Sequence, residues 1–115
     1  FKETCQINWH QTAKQVYDFV RGLSPVPGAW TTLYESSATV PIGSPLGTLK
    51  IYRTSKTGHA TTLPPGTLVV DRKHLCVACV DQLLQIDELQ LAGKKRMDAR
   101  SFLNGLQSHQ LPTCV

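Results

Sequence analysis

The first apolar pattern along the chain has a helical period. Val16, Tyr17, Phe19, Val20 and Leu23 recur at steps of three and four, which places them on one face of a helix. Thr12-Ala13-Lys14-Gln15 precedes them as a capping box: the Thr12 hydroxyl can serve the Gln15 amide, and the Gln15 side chain can return to the Thr12 amide. The pattern predicts a helix over 12–22 with Gly22 as its stop, after an incoming linker over 1–11 that becomes structured around Ile7 and Trp9. Pro25 and Pro27 bar any continuation.

From residue 29 the period shortens to two. Strands are predicted over 29–34, 48–54, 67–71, 75–80 and 83–91. In the second, Leu49 and Ile51 face inward and Lys50 and Tyr52 outward. In the fifth, Leu84 and Ile86 share a face while Leu89 and Leu91 have the opposite parity, which a bulge near Asp87-Glu88 would reconcile. Loops rich in Ser, Thr, Gly and Pro fill 35–47 and 55–66. Asp98 can cap a short helix through Phe102 and Leu103 that stops at Gly105, and 106–115 reads as a tail. These elements predict a mainly β (α+β) domain over 12–105, a small five- to six-stranded β-barrel, closed or partly closed, with one N-terminal helix and one short C-terminal helix.

Composition narrows the class. The chain has 115 residues, 41% hydrophobic and 17% charged, which suits one globular domain and excludes disordered and fibrous classes. No apolar run approaches the roughly 18 residues of a membrane span, and no signal segment opens the chain. Twelve Lys and Arg against eight Asp and Glu leave a net charge of +4, which favours an anionic partner. The start at Phe1, without an initiator Met, reads as a piece of something longer rather than a free-standing protein.

Candidate chemistry is sparse. No nucleophile elbow, Walker loop or dinucleotide fingerprint occurs, and His10, His59, His74 and His109 are scattered. Cys76 and Cys79 have metal-ligand spacing near His74, but a structural zinc needs four ligands and no second such pair exists. A strand over 75–80 sends the two thiols to opposite faces, so they read as buried small hydrophobes in a reduced, cytoplasmic setting. The cations are more informative. Lys94, Lys95, Arg96 and Arg100 face the single Asp98 within seven residues. Lys50, Arg53 and Lys56 form an acid-free stretch, Arg72-Lys73 mark a turn, and Lys14 and Arg21 extend the surface if the helix lies alongside. Two readings stand: a solvated loop beside a short helix, or a patch for nucleic-acid phosphates. Aromatic interleaving is thin, with Tyr52 alone near a cation, which favours a shape-and-phosphate reader of folded RNA over a base-stacking binder.

Two segments carry a family resemblance. The first is Ile7-Asn8-Trp9, then the helix, then Val20-Arg21-Gly22-Leu23-Ser24-Pro25-Val26-Pro27-Gly28-Ala29-Trp30. The second is Leu89-Gln90-Leu91-Ala92-Gly93-Lys94-Lys95-Arg96-Met97, followed by Phe102-Leu103-Asn104-Gly105, with Pro65-Gly66-Thr67 opening a strand between the two. Together, over residues 3–105, they resemble the carboxy-terminal domain of methionyl-tRNA formyltransferase. Three departures stand out: Val26 where the family often has an aromatic, a longer 35–47 loop, and Leu91 where many members have a proline.

The resemblance implies a barrel close to the oligonucleotide-binding fold, appended to an N-terminal catalytic domain outside this chain that binds 10-formyltetrahydrofolate. It implies no cofactor, metal or catalytic residue in the fragment itself. It also implies that the barrel holds the initiator Met-tRNA through its phosphates, with the enzyme a cytoplasmic monomer. Carried to matching positions, Lys94, Lys95 and Arg96 lead and Arg21 and Lys2 follow; the distribution of cations adds Arg100, Lys50 and Arg53 to the candidate set. A formyltetrahydrofolate hydrolase part, an amino-sugar formyltransferase or a non-enzymatic RNA- or protein-binding barrel remain alternatives. The cation cluster favours the tRNA enzyme.

Overall fold

The computed structural model describes residues 3–34, 45–71, 73–105 and 113–114. Helix α1 spans Ala13–Leu23. Its capping box forms as expected: the Gln15 amide donates to Thr12 Oγ1 at 3.1 Å, and the Thr12 amide donates to Gln15 Oε1 at 2.9 Å. The Ala13 amide, also left over by the helix start, donates to the Asp81 carboxylate at 2.9 Å. The helix ends one residue later than expected. Ser24, not Gly22, is the cap, its amide donating to the Val20 carbonyl at 3.0 Å, and Gly22 lies inside the last turn.

Strands β1 (Ala29–Tyr34), β2 (Pro45–Ala60), β3 (Leu68–Asp71), β4 (His74–Ala78) and β5 (Gln82–Leu91) pair antiparallel. β6 (Met97–Asp98) adds to β5, helix α2 (Ala99–Asn104) follows it, and β7 (Thr113–Cys114) pairs with β1. Asp98 caps α2 by accepting from the Ser101 amide at 2.7 Å, and Gly105 closes it, both as the sequence indicated. β2 is longer than predicted. It runs to Ala60 through part of the expected 55–66 loop, because Ser55, Lys56 and Ala60 find partners in Gln85, Leu84 and Gln82. Thr57 donates its hydroxyl to the Leu83 carbonyl at 2.6 Å, so partners across the ladder outweigh a turn-rich composition. Of the predicted 35–47 loop, 45–47 is strand and 35–44 lies outside the described residues, as does 106–112 of the predicted tail.

The sheet is not closed into a barrel, which corrects the barrel expectation. Its ladder path runs β3-β4-β5-β2-β1-β7, and among the described residues no ladder joins the two ends. The outer edge of β1 is already occupied: Gln6 bridges Trp30, the Ile7 amide donates to the Trp30 carbonyl at 2.8 Å, and β7 takes Leu33 and Tyr34. β3 is short and leaves Val70 exposed at the far edge.

The expected bulge is present, and it has a counterpart. Ile51 pairs with Leu89, Arg53 with Glu88 and Thr54 with Ile86. β2 therefore carries an extra residue at Tyr52 and β5 one at Asp87, and the register is restored beyond them. The inward set is Leu49, Ile51 and Thr54 on β2 with Leu84, Ile86 and Leu89 on β5, all buried. α1 covers this face with Ala13, Val16 and Val20, and Ile7 and Trp9 join the same core. The Trp9 indole donates to the buried Thr31 hydroxyl at 3.0 Å, which satisfies both groups. Cys76 and Cys79 are buried and free. Burial, then the Asp81 charge, pushes the Cys79 thiol up to about 11, and burial also raises Cys76, so both stay protonated.

Candidate nucleic-acid interface

The paired bulge turns Tyr52 and Arg53 of β2, and Glu88 of β5, to the outer side of the sheet. The Glu88 carboxylate sits between two arginines. Oε1 accepts from Arg53 Nε at 2.9 Å, and Oε2 accepts from Arg96 Nε at 3.1 Å. Hydrogen bonding from Arg53 is the main reason that the Glu88 carboxyl is held below its ordinary range, with the Arg96 charge adding to it. Arg96 also lies over the Tyr52 ring, its guanidinium carbon 4.2 Å from the ring centre. Tyr52 is fixed in turn by its hydroxyl, which donates to Gln90 Oε1 at 2.8 Å.

Beside this pair stands the turn that carries Lys94 and Lys95, both exposed. Gly93 supplies the left-handed residue at φ 82°, the Lys94 amide donates to the Leu91 carbonyl at 2.9 Å, and Gln90 Nε2 donates to the Lys94 carbonyl at 2.9 Å. One glutamine thus ties the tyrosine platform to the lysine turn. Lys50 is exposed on the same side, and its Cδ and the Tyr52 ring edge are the side-chain atoms that a Cβ at Gly28, just after Pro27, would touch. It lines an open cleft of about 620 Å³ with Trp30, Thr48, Gln90 and Ala92. Arg100, on α2, shares a second groove of about 360 Å³ with Arg53, Lys73, His74, Asp87 and Asp98.

The remaining candidates fall elsewhere. Arg21 belongs to a separate cluster on α1, where Asp18 accepts from Lys14 Nζ at 2.9 Å and lies 3.5 Å from Arg21. Arg21 sits 5.6 Å from the Tyr17 ring centre, and Lys56 Nζ 5.0 Å from it. Lys50, Arg53 and Lys56 are therefore not one surface: the parity change at Tyr52 leaves Lys56 on the helix side of β2. Lys2 and Arg72 lie outside the described residues. Sequence reasoning named Tyr52 but missed Glu88 and Gln90, which organise the cluster. A lone acid opposite a cation-rich strand was the available signal for Glu88.

Among the described residues no three metal-ligating side chains converge, and no helix is long and apolar enough to cross a membrane. The described residues thus form an open antiparallel sheet with a cationic outer face. The match to known proteins places it further: the model of the formyl transferase C-terminal domain matches residues 1–107, and the chain belongs to that family. It is 46% identical over 108 residues to a methionyl-tRNA formyltransferase of Parabacteroides distasonis, covering 93% of this chain and 32% of that protein. The corresponding protein of Phocaeicola vulgatus is 43% identical over 109 residues, with 94% and 32% covered. That of Porphyromonas gingivalis is 39% identical over 109 residues, with 91% and 31% covered. The chain spans about a third of the length of these curated relatives.

Proposed function

We propose that this chain is the tRNA-docking domain of a methionyl-tRNA formyltransferase, with residues 12–105 as the docking domain, 1–11 as its incoming linker and 106–115 as a tail. The parent protein moves a formyl group from 10-formyltetrahydrofolate to the methionine amino group of initiator Met-tRNA, as a cytoplasmic monomer. On the outer face both carboxylates are already engaged, Glu88 by Arg53 and Arg96 and Asp87 by the Ser55 hydroxyl and the Gln85 amide, and the reading places no part of the formyl-donor site among the described residues. That chemistry is assigned to a catalytic domain outside this chain. Lys94, Lys95, Arg96, Arg53, Lys50 and Arg100 meet the phosphates here, with Arg21 and Lys2 as secondary contacts.

The observation that carries the reading is the stacking of Arg96 on Tyr52 beside the Lys94-Lys95 turn. The ring that could have stacked on a base is covered by a cation, which suits phosphate contact over base readout. Docking so used positions the aminoacyl end, and misplacing a reacting amine costs orders of magnitude in rate. Replacing Lys94, Lys95 and Arg96 together with alanine in the full-length enzyme should raise KM for Met-tRNA. It should also flatten the salt dependence of binding by about one unit for each phosphate no longer neutralised. An unchanged slope would remove the patch from tRNA recognition and return the hydrolase and amino-sugar formyltransferase alternatives to the front.

A further inference from the structure

We propose that Glu88 is a positioning residue for RNA binding: it holds Arg53 and Arg96 as a two-pronged fork that grips one phosphate group. The proposal rests on the tRNA-docking reading and adds to it a role for an acid inside a basic patch. Charge alone argues against such a residue, since a carboxylate repels the backbone that the patch attracts. Geometry argues for it.

Each arginine reaches Glu88 through Nε, the inner nitrogen of its guanidinium, at 2.9 and 3.1 Å. An acceptor at Nε engages the side edge of a guanidinium, which Nε shares with one outer nitrogen, and leaves the end edge formed by the two outer nitrogens uncommitted to it. The exposures follow the same order, with the Glu88 side chain at 30% and Arg53 and Arg96 at 61% and 45%. The acid is therefore the base of the arrangement and the cations its tips. Two guanidiniums anchored on the two oxygens of one carboxylate are close enough to repel, and the shared anion is what keeps them convergent. Arg96 is fixed a second time by the Tyr52 ring, and Tyr52 by Gln90. Planar groups held in advance lose less freedom on gripping a phosphate, and their paired N–H donors match its oxygens.

The test sets charge against geometry by titrating the 115-residue chain with initiator tRNA at about 50 mM salt, where phosphate contacts dominate affinity. Glu88→Gln adds one unit of positive charge, and Arg96→Lys leaves the charge unchanged. Lys94→Ala with Lys95→Ala reports on the patch itself, and the thermal midpoint confirms folding, which loss of exposed ion pairs barely moves. The fork requires both E88Q and R96K to weaken binding by about tenfold, the scale of one charge-assisted hydrogen bond. If the lysine pair weakens binding while E88Q tightens it and R96K matches the parent chain, the fork is overturned and the docking reading stands. If none of the variants changes the affinity, the docking reading fails and takes the fork with it.

Discussion

The molecule carries two clusters built from the same parts, each with one carboxylate between two cations and a tyrosine ring nearby. On the sheet, Glu88 joins Arg53 and Arg96 over Tyr52. On the helix, Asp18 joins Lys14 and Arg21, with Arg21 and Lys56 around Tyr17. In both, hydrogen bonding to a cation holds the carboxyl below its ordinary range. They differ in how they are assembled. The helix pairs sit four and three residues apart, the spacing that any exposed helix supplies, and the side chains of Lys14 and Arg21 are 73% and 71% exposed. The sheet cluster is assembled from residues 35 and 8 positions apart on two strands and a turn, over a buried core. A local pair forms wherever a helix forms. A tertiary pair exists only because the fold brings its members together, and it is the better candidate for selection by function.

The sharpest way to break the comparison is to remove the ground beneath one cluster. Leu89 is fully buried next to Glu88, and Leu89→Ala should cost about 2–5 kcal/mol in denaturant unfolding. A cost well below 1 kcal/mol would mean that the sheet cluster does not stand on a packed core. Next in size is a change in RNA affinity. Replacing Lys14, Arg21 and Lys56 with alanine should leave the salt slope of tRNA binding within about one unit of the parent, against two or three units for the Lys94-Lys95-Arg96 set. Equal slopes would make the two clusters equivalent and extend the interface to the helix.

The smallest expected effect concerns acid. A carboxyl whose folded pKa is depressed contributes stability that is complete above its unfolded value, about 4.3 for glutamate, and is lost as pH falls through the folded value. Glu88→Gln should therefore flatten the fall in stability below about pH 4.3, as read by unfolding at a series of pH values. Asp18→Asn should do so by less, since its partners are more exposed. A larger effect from Asp18 would reverse the ranking.

Much of this was legible in the sequence, for identifiable reasons. The Thr12–Gln15 box and the Asp98 cap are short-range devices, and both formed as read. The bulge at Asp87 was visible because Leu84, Ile86 and Leu89 are apolar enough for a parity break to show. Its counterpart at Tyr52 was hidden, because the buried residue that reveals it is Thr54, whose type reads as polar. That one omission merged Lys50, Arg53 and Lys56 into a single stretch. The run at Lys94–Arg96 was legible as a cation cluster, while the hold of Glu88 on Arg96 depends on pairing across strands. Closure of the sheet was over-read: strand number says nothing about whether the edge of β1 is free, and Gln6, Ile7 and β7 occupy it.

The two irregularities at Tyr52 and Asp87 act like compensating frameshifts. Each strand spells one additional outward residue at the same point, so the core ladders on either side remain in phase. The solvent face gains density there: Tyr52, Arg53, Asp87 and Glu88 crowd a span where regular pleating would present two side chains. Deleting one of the insertions alone would restore regular alternation in its own strand and leave the extra residue of the partner strand unmatched, as a single one-sided bulge. Removing both would restore an ordinary sheet with its core intact and its chemistry thinned by half.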